Sequence, residues 1–151
     1  MSITYITRNI TTVTVGVIAQ GVNCSGAMNS GVAKAIKDTW PVVSERYHEL
    51  VHGGNLGLIG TCQLVEIDSD TLYVANCFTQ KFYGRSGRFA IPTAIASSLH
   101  LVKAYSSYYG LPVIMPKIGC GLGGLNWDSE VRDIVEDTFA NHDQDIYVCG
   151  L

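Results

Sequence analysis

Pro112 to Trp127 reads PVIMPKIGCGLGGLNW. Pro112 to Lys117 is a short apolar strand, and Gly119 to Gly124 is a glycine-rich turn. Beyond it Val131, Ile134, Val135, Thr138 and Phe139 recur at helical spacing, with Asp128 and Glu130 in the first turn, where they favour the helix dipole. Gly119-Cys120-Gly121-Leu122-Gly123-Gly124 also fits GxGxxG, which invites a dinucleotide-binding reading. That reading needs more strands than follow: only Asp145 to Cys149 remains, and the acidic residues about 20 positions on, Asp143 to Asp145, fall before that strand rather than after one. The physics of the loop survives. Glycines let backbone approach a ligand closely, and a helix N-terminus offers unpaired N–H groups to an anion. A tight turn without a ligand is the plain alternative.

A second stretch repeats the pattern. Val13 to Ala19 reads as a β-branched strand, Gly21 to Gly31 as a loop of small and polar residues, and Val32, Ala35, Ile36, Thr39 and Trp40 as a helical stripe interrupted by Pro41. Two strand–loop–helix anion sites can grip a diphosphate from both sides without cationic side chains. Asn23 taken alone reads more simply as a turn former. Ile3 to Thr7, Cys62 to Ile67 and Leu72 to Phe78 complete the strands, the last two joined through Asp68-Ser69-Asp70. Val43, Tyr47, Leu50 and Val51 form a second helical stripe ended by Gly53-Gly54. Ile91, Ile95, Leu99 and Val102 form a third, with Pro92 at its start and Gly110 at its end. Two strands before the first helix, then strands and helices mixed, predict α/β layers around a mixed sheet.

The chain has 151 residues, 47% of them hydrophobic and 15% charged. That suits one domain with a real core and excludes a disordered or coiled-coil chain. No apolar run approaches the roughly 20 residues that span a bilayer. Five cysteines, an odd number without a CxxC, read as reduced thiols and predict a cytoplasmic protein. The net charge is −3 with no cluster of Lys and Arg, so nucleic acid has no visible footprint. His48-Glu49-Leu50-Val51-His52 matches HExxH, but Gly53-Gly54 ends the helix at once and no further ligand follows nearby. With Leu50 and Val51 in a core stripe, His48 and His52 fall on a solvated face. A zinc hydrolase is rejected, and no metal or cofactor is expected.

Taken together, the loops resemble those of a macro domain over nearly the whole chain. Thr7-Arg8-Asn9-Ile10-Thr11 is similar to the family's GDIT-type opening, with Arg8 for Gly and Asn9 for Asp. Ala19-Gln20-Gly21-Val22-Asn23 resembles its VNAAN motif, and Met28-Asn29-Ser30-Gly31-Val32-Ala33 its GGGVA loop. Met115 to Trp127 is the most specific piece and resembles the branch holding yeast-type ADP-ribose 1''-phosphate phosphatases and terminal ADP-ribose protein glycohydrolases. The resemblance implies one macro domain over 1–151, a three-layer α/β/α sandwich with a central mixed six-stranded sheet. It also implies a monomer that binds ADP-ribose or ADP-ribose 1''-phosphate. By position, Asn9 and Ile10 would contact adenine with Arg8 beside them, and Ala19, Gln20 and Gly21 would border the cleft floor. Asn23 would bond the distal ribose, and Asn29, Ser30, Gly31, Val32 and Ala33 would wrap that ribose and a phosphate. Ile118, Gly119, Cys120, Gly121, Leu122, Gly123 and Gly124 would clamp the diphosphate, and Leu151 would lie near the adenine.

For chemistry the branch offers a lysine where this chain has Gln80, with Lys81 one step on. It offers an aspartate where Gly123 stands and a histidine where Gln20 stands. Phosphate-monoester hydrolysis, which leans on positioning and electrostatics, ranks first, with Lys81 as the candidate catalytic group. A non-catalytic ADP-ribose-binding module comes next, then a hydrolase removing ADP-ribose from modified macromolecules.

Overall fold

The computed structural model describes residues 3–29, 31–84 and 86–150. Six strands form one sheet: β1 (Ile3–Thr7), β2 (Gly16–Asn23), β3 (Cys62–Asp68), β4 (Leu72–Gln80), β5 (Val113–Pro116) and β6 (Ile146–Gly150). Their order is β1-β6-β5-β2-β4-β3, and every neighbouring pair is parallel except the edge pair β3–β4. Four helices cover it: α1 (Gly31–Thr39), α2 (Pro41–Val51), α3 (Pro92–Tyr109) and α4 (Arg132–Thr138).

Strand alternation builds two cores from one sheet. On β2, Val17 and Ala19 join Ile95, Leu99 and Val102 of α3 and Val135 of α4, while Ile18 and Val22 join Ile36 of α1 and Val43, Tyr47 and Val51 of α2. This is the expected three-layer sandwich, and the apolar runs of β2, β4 and β5 are what a strand covered on both faces requires. Among the described residues no helix is long and apolar enough to cross a membrane.

Several boundaries and core positions differ from those read in the sequence. The second strand does not stop at Ala19. It runs to Asn23, because β4 pairs with it in parallel from Gly16↔Leu72 to Asn23↔Gln80 and satisfies the backbone of Gln20 to Asn23. The register skips Thr79, so a bulge lies where β2 and β4 end. The helix over Val131 to Phe139 begins with a wide π turn, Trp127–Val131, before α4. Leu50 is not a core residue: it is 40% exposed, and α2 buries Val43, Ser44, Tyr47 and Val51 instead. In the first helix Ile36 alone is buried, and Ala35 and Thr39 are exposed.

Pro41 and Pro92 stand at helix starts, where a missing N–H costs nothing, and Gly110 closes α3 in the left-handed region at φ 67°. His52 closes α2 the same way at φ 53°, its amide bonded to the His48 carbonyl. The second histidine of the HExxH match is thus past the helix, and His48 is exposed.

Candidate functional site

The crossovers leaving β2 and β5, neighbours in the sheet, diverge. The chain after β2 enters α1 and α2 on one face, and the chain after β5 enters α4 on the other. Such a switch point opens a crevice at the carboxyl ends of parallel strands. A cleft of about 730 Å³ lies there. Its floor and walls come from the ends of β2 (Gln20 to Asn23), β4 (Thr79, Gln80) and β5 (Pro116), and from the loops that follow them.

The loop after β2 is held from within by Asn23. Its Oδ1 accepts from the amides of Ser25 at 3.0 Å and Gly26 at 3.1 Å, and its Nδ2 donates to the Ala27 carbonyl at 2.8 Å. The Tyr47 hydroxyl, fully buried under the loop, sits 2.7 Å from the Asn23 carbonyl and 2.8 Å from Oδ1. Burial pushes that phenol up to about 12, so it remains a neutral hydrogen-bonding group. Asn23 lines the cleft, but its polar atoms first organise the loop, as the turn-former reading has it.

The loop after β5 is wound on its own backbone. Cys120 N donates to Lys117 O at 3.1 Å, Gly124 N to Gly121 O at 3.1 Å and Leu125 N to Gly119 O at 3.0 Å. Gly123 O accepts from the amides of Phe89 and Ala90, tying the loop to the segment before α3. Gly119 has φ 78°, and a Cβ there would stand 2.8 Å from Ile95 Cδ1, so only glycine fits this turn. Among the described residues the amides of Gly119, Gly121, Leu122 and Gly123 donate to no protein acceptor. All four residues line the cleft.

Of the described lining residues only Lys117 carries a charge. The other wall brings Asn29, Gly31, Val32 and Ala33, where α1 starts with its first-turn amides open. Asn9 and Ile10 close one end, where the Asn9 side chain accepts from Thr11 N and caps a short 3₁₀ turn.

Most residues singled out in the sequence converge here: Asn9, Ile10, Gln20, Gly21, Asn23, Asn29, Gly31, Val32, Ala33, Ile118, Gly119, Gly121, Leu122 and Gly123. Five do not line the cleft. Ala19 is buried in the core. Arg8 turns back, its guanidinium bonding Thr12 Oγ1 at 3.0 Å and Thr12 O at 2.9 Å. The half-buried Cys120 thiol donates to Ile118 O at 3.5 Å, and burial pushes it up to about 11. Gly124 is packed against the carbonyl of Gly87. Lys81 is exposed beyond the end of β4. Its contribution is its carbonyl, which accepts from Cys24 N at 3.2 Å and Ser25 Oγ at 2.6 Å. Ser30 and Leu151 lie outside the described residues.

The sequence reading missed Met28, Ala35, Thr79, Gln80, Tyr83, Gly84, Pro116 and Lys117 in the wall. The ends of parallel strands were the available signal for Thr79, Gln80 and Pro116. Nothing local marks the others.

The fold is an α/β sandwich with a cleft at the switch point of its sheet, lined mostly by small and uncharged residues. Residues 19–134 match the family model of the Macro domain. The chain belongs to the macro domain family. It is 24% identical over 139 residues to an ADP-ribose 1''-phosphate phosphatase of Candida albicans, covering 87% of this chain and 86% of that one. Among solved structures, a protein of unknown function from Bacteroides thetaiotaomicron superposes with a TM-score of 0.90 at 25% identity, covering 100% of this chain and 99% of that one. Thermosipho africanus DarTG in complex with ADP-ribose superposes with a TM-score of 0.82 at 17% identity, covering 97% of this chain and 41% of that one.

Proposed function

We propose that the cleft binds ADP-ribose and that the protein releases phosphate from ADP-ribose 1''-phosphate. The observation that carries the reading is that four second-loop residues line the cleft while their amides find no protein acceptor, with the first turn of α1 also in the lining. Such groups suit a diphosphate without a lysine cluster. They also suit the charge that develops on a phosphoryl group in transfer, where fixed donors and positioning supply most of the acceleration. The Candida albicans relative, aligned over most of both chains, supports the choice of ester.

A binding module without catalysis is the second reading. It is favoured by one observation: no described lining residue is His, Asp, Glu or Cys. Lys81, outside the wall, is not needed by either reading.

Two measurements separate them. Calorimetry with ADP-ribose and with AMP should give one site that prefers ADP-ribose, with little dependence on salt because amides rather than lysines hold the diphosphate. Equal affinity for the two ligands would overturn the two-loop clamp. Incubation with ADP-ribose 1''-phosphate should then release inorganic phosphate. Binding without release leaves the module reading.

A further inference from the structure

Among the described residues, two buried side-chain polar atoms have no hydrogen-bond partner: Gln20 Oε1 and Thr79 Oγ1. Both residues line the cleft. A hydroxyl can rotate, but the Gln20 amide is fixed by what lies behind it. Register places Gln20 opposite Asn76 of β4, and Asn76 opposite Gln63 of β3. Gln20 Nε2 donates to Asn76 Oδ1 at 2.8 Å, Asn76 Nδ2 donates to Gln63 Oε1 at 3.1 Å, and Gln63 Nε2 donates to the Arg46 carbonyl of α2 at 2.9 Å.

A main-chain carbonyl only accepts. It therefore fixes the Gln63 amide with nitrogen outward, which fixes Asn76, which fixes Gln20. The row has one direction, set some two strand spacings, about 10 Å, from the cleft. Its consequence is that Gln20 spends its nitrogen on the sheet and keeps its oxygen, which accepts and cannot donate.

We propose that Asn76 and Gln63 are positioning residues that hold Gln20 as an acceptor-only contact in the cleft wall, and that this contact takes a hydroxyl of the ligand. The inference rests on the ADP-ribose reading for the source of the hydroxyl, which is a sugar. Less than 1 Å² of the oxygen is open to solvent, so the group that reaches it is small and brings its own proton. A hydroxyl does both. A phosphate oxygen, as a second acceptor, is repelled. A buried acceptor with no partner bears its whole desolvation penalty, so the hydroxyl that relieves it adds more to affinity than an exposed hydrogen bond would.

The test reverses the row from its far end. Gln63 is half-buried on the edge strand and does not line the cleft. Gln63→Glu still accepts from Asn76 and keeps the direction. Gln63→Lys can only donate, so Asn76 and then Gln20 must turn over, presenting Nε2 to the cleft. Calorimetry should show Gln63→Lys losing roughly tenfold in ADP-ribose affinity and Gln63→Glu about threefold or less, with thermal melts confirming that both fold. Equal affinity of the lysine variant and the wild type overturns the proposal. Failure of the wild type itself to bind ADP-ribose overturns the functional reading instead. The row is then read without ligand, by exchange of the side-chain amide protons. The Gln20 Nε2 protons exchange slowly in the wild type and fast in Gln63→Lys, and equal exchange overturns the proposal too.

Discussion

Gly121 has open space where a Cβ would stand, and its backbone is outside the left-handed region. Its neighbours are less free: a Cβ at Gly123 would meet the Gly119 carbonyl at 2.6 Å. The turn itself therefore does not require glycine at Gly121, and on the proposed function the position is kept clear for the ligand. Gly121→Val should fold with stability within about 0.5 kcal/mol of wild type. It should lose ADP-ribose affinity by roughly tenfold to a hundredfold, the scale of one charge-assisted contact. Chemical denaturation and calorimetry on the same preparation check both halves. Undiminished binding in a folded variant would make the loop a turn and nothing more. Asn23 carries the opposite lesson. Its chemistry suits a ribose, yet its amide is engaged by Ser25, Gly26, Ala27 and Tyr47.

The element that most needs its side chains is the wide turn into α4. Asn126 caps it, accepting from Ser129 N at 3.0 Å, and the Glu130 carboxylate reaches back to Asn126 N at 2.7 Å. This is a capping box stretched by one residue to fit a π turn. The Asn126 amide and then the Arg88 guanidinium, 2.6 Å away, hold the Glu130 carboxyl below the usual carboxylate range. A depressed acid stabilises the fold above its unfolded pKa, about 4.3, and the stabilisation is lost as pH falls through the folded value. Glu130→Gln should therefore melt below wild type at neutral pH, with the gap closing as pH drops below about 4. A gap that persists in acid would show that the loss is one of shape rather than charge.

Across the whole molecule, the α3 and α4 layer is locked by a histidine that no motif announces. His142 is buried behind the end of α4, with Nε2 2.8 Å from Ser106 Oγ, while Ser106 donates to Leu111 O at 2.5 Å. Ser106 has spent its proton, so the imidazole donates from Nε2. Burial, then the Lys103 ammonium, lowers its pKa. The unfolded chain thus binds the proton more readily, and stability falls as pH drops below about 6.5. Thermal melts between pH 7.5 and 5.5 should show that slope in the wild type and a flatter one in His142→Gln. Equal slopes would clear His142.

The sequence by itself determined the layers, the helix stops at Pro41 and Gly110, and the two glycine loops. Each rests on local chemistry: periodicity, a missing N–H, a turn that tolerates no side chain. Pairing decided the rest. Gln20 to Asn23 read as loop until β4 supplied the partner for their backbone, and Leu50 read as core until α2 took its angle on the sheet. Arg8 fits an adenine-side position by order in the chain, yet its guanidinium folds onto Thr12. Three amides far apart in sequence became one row only because strand register set them side by side, and register is a property of the sheet, not of any one strand.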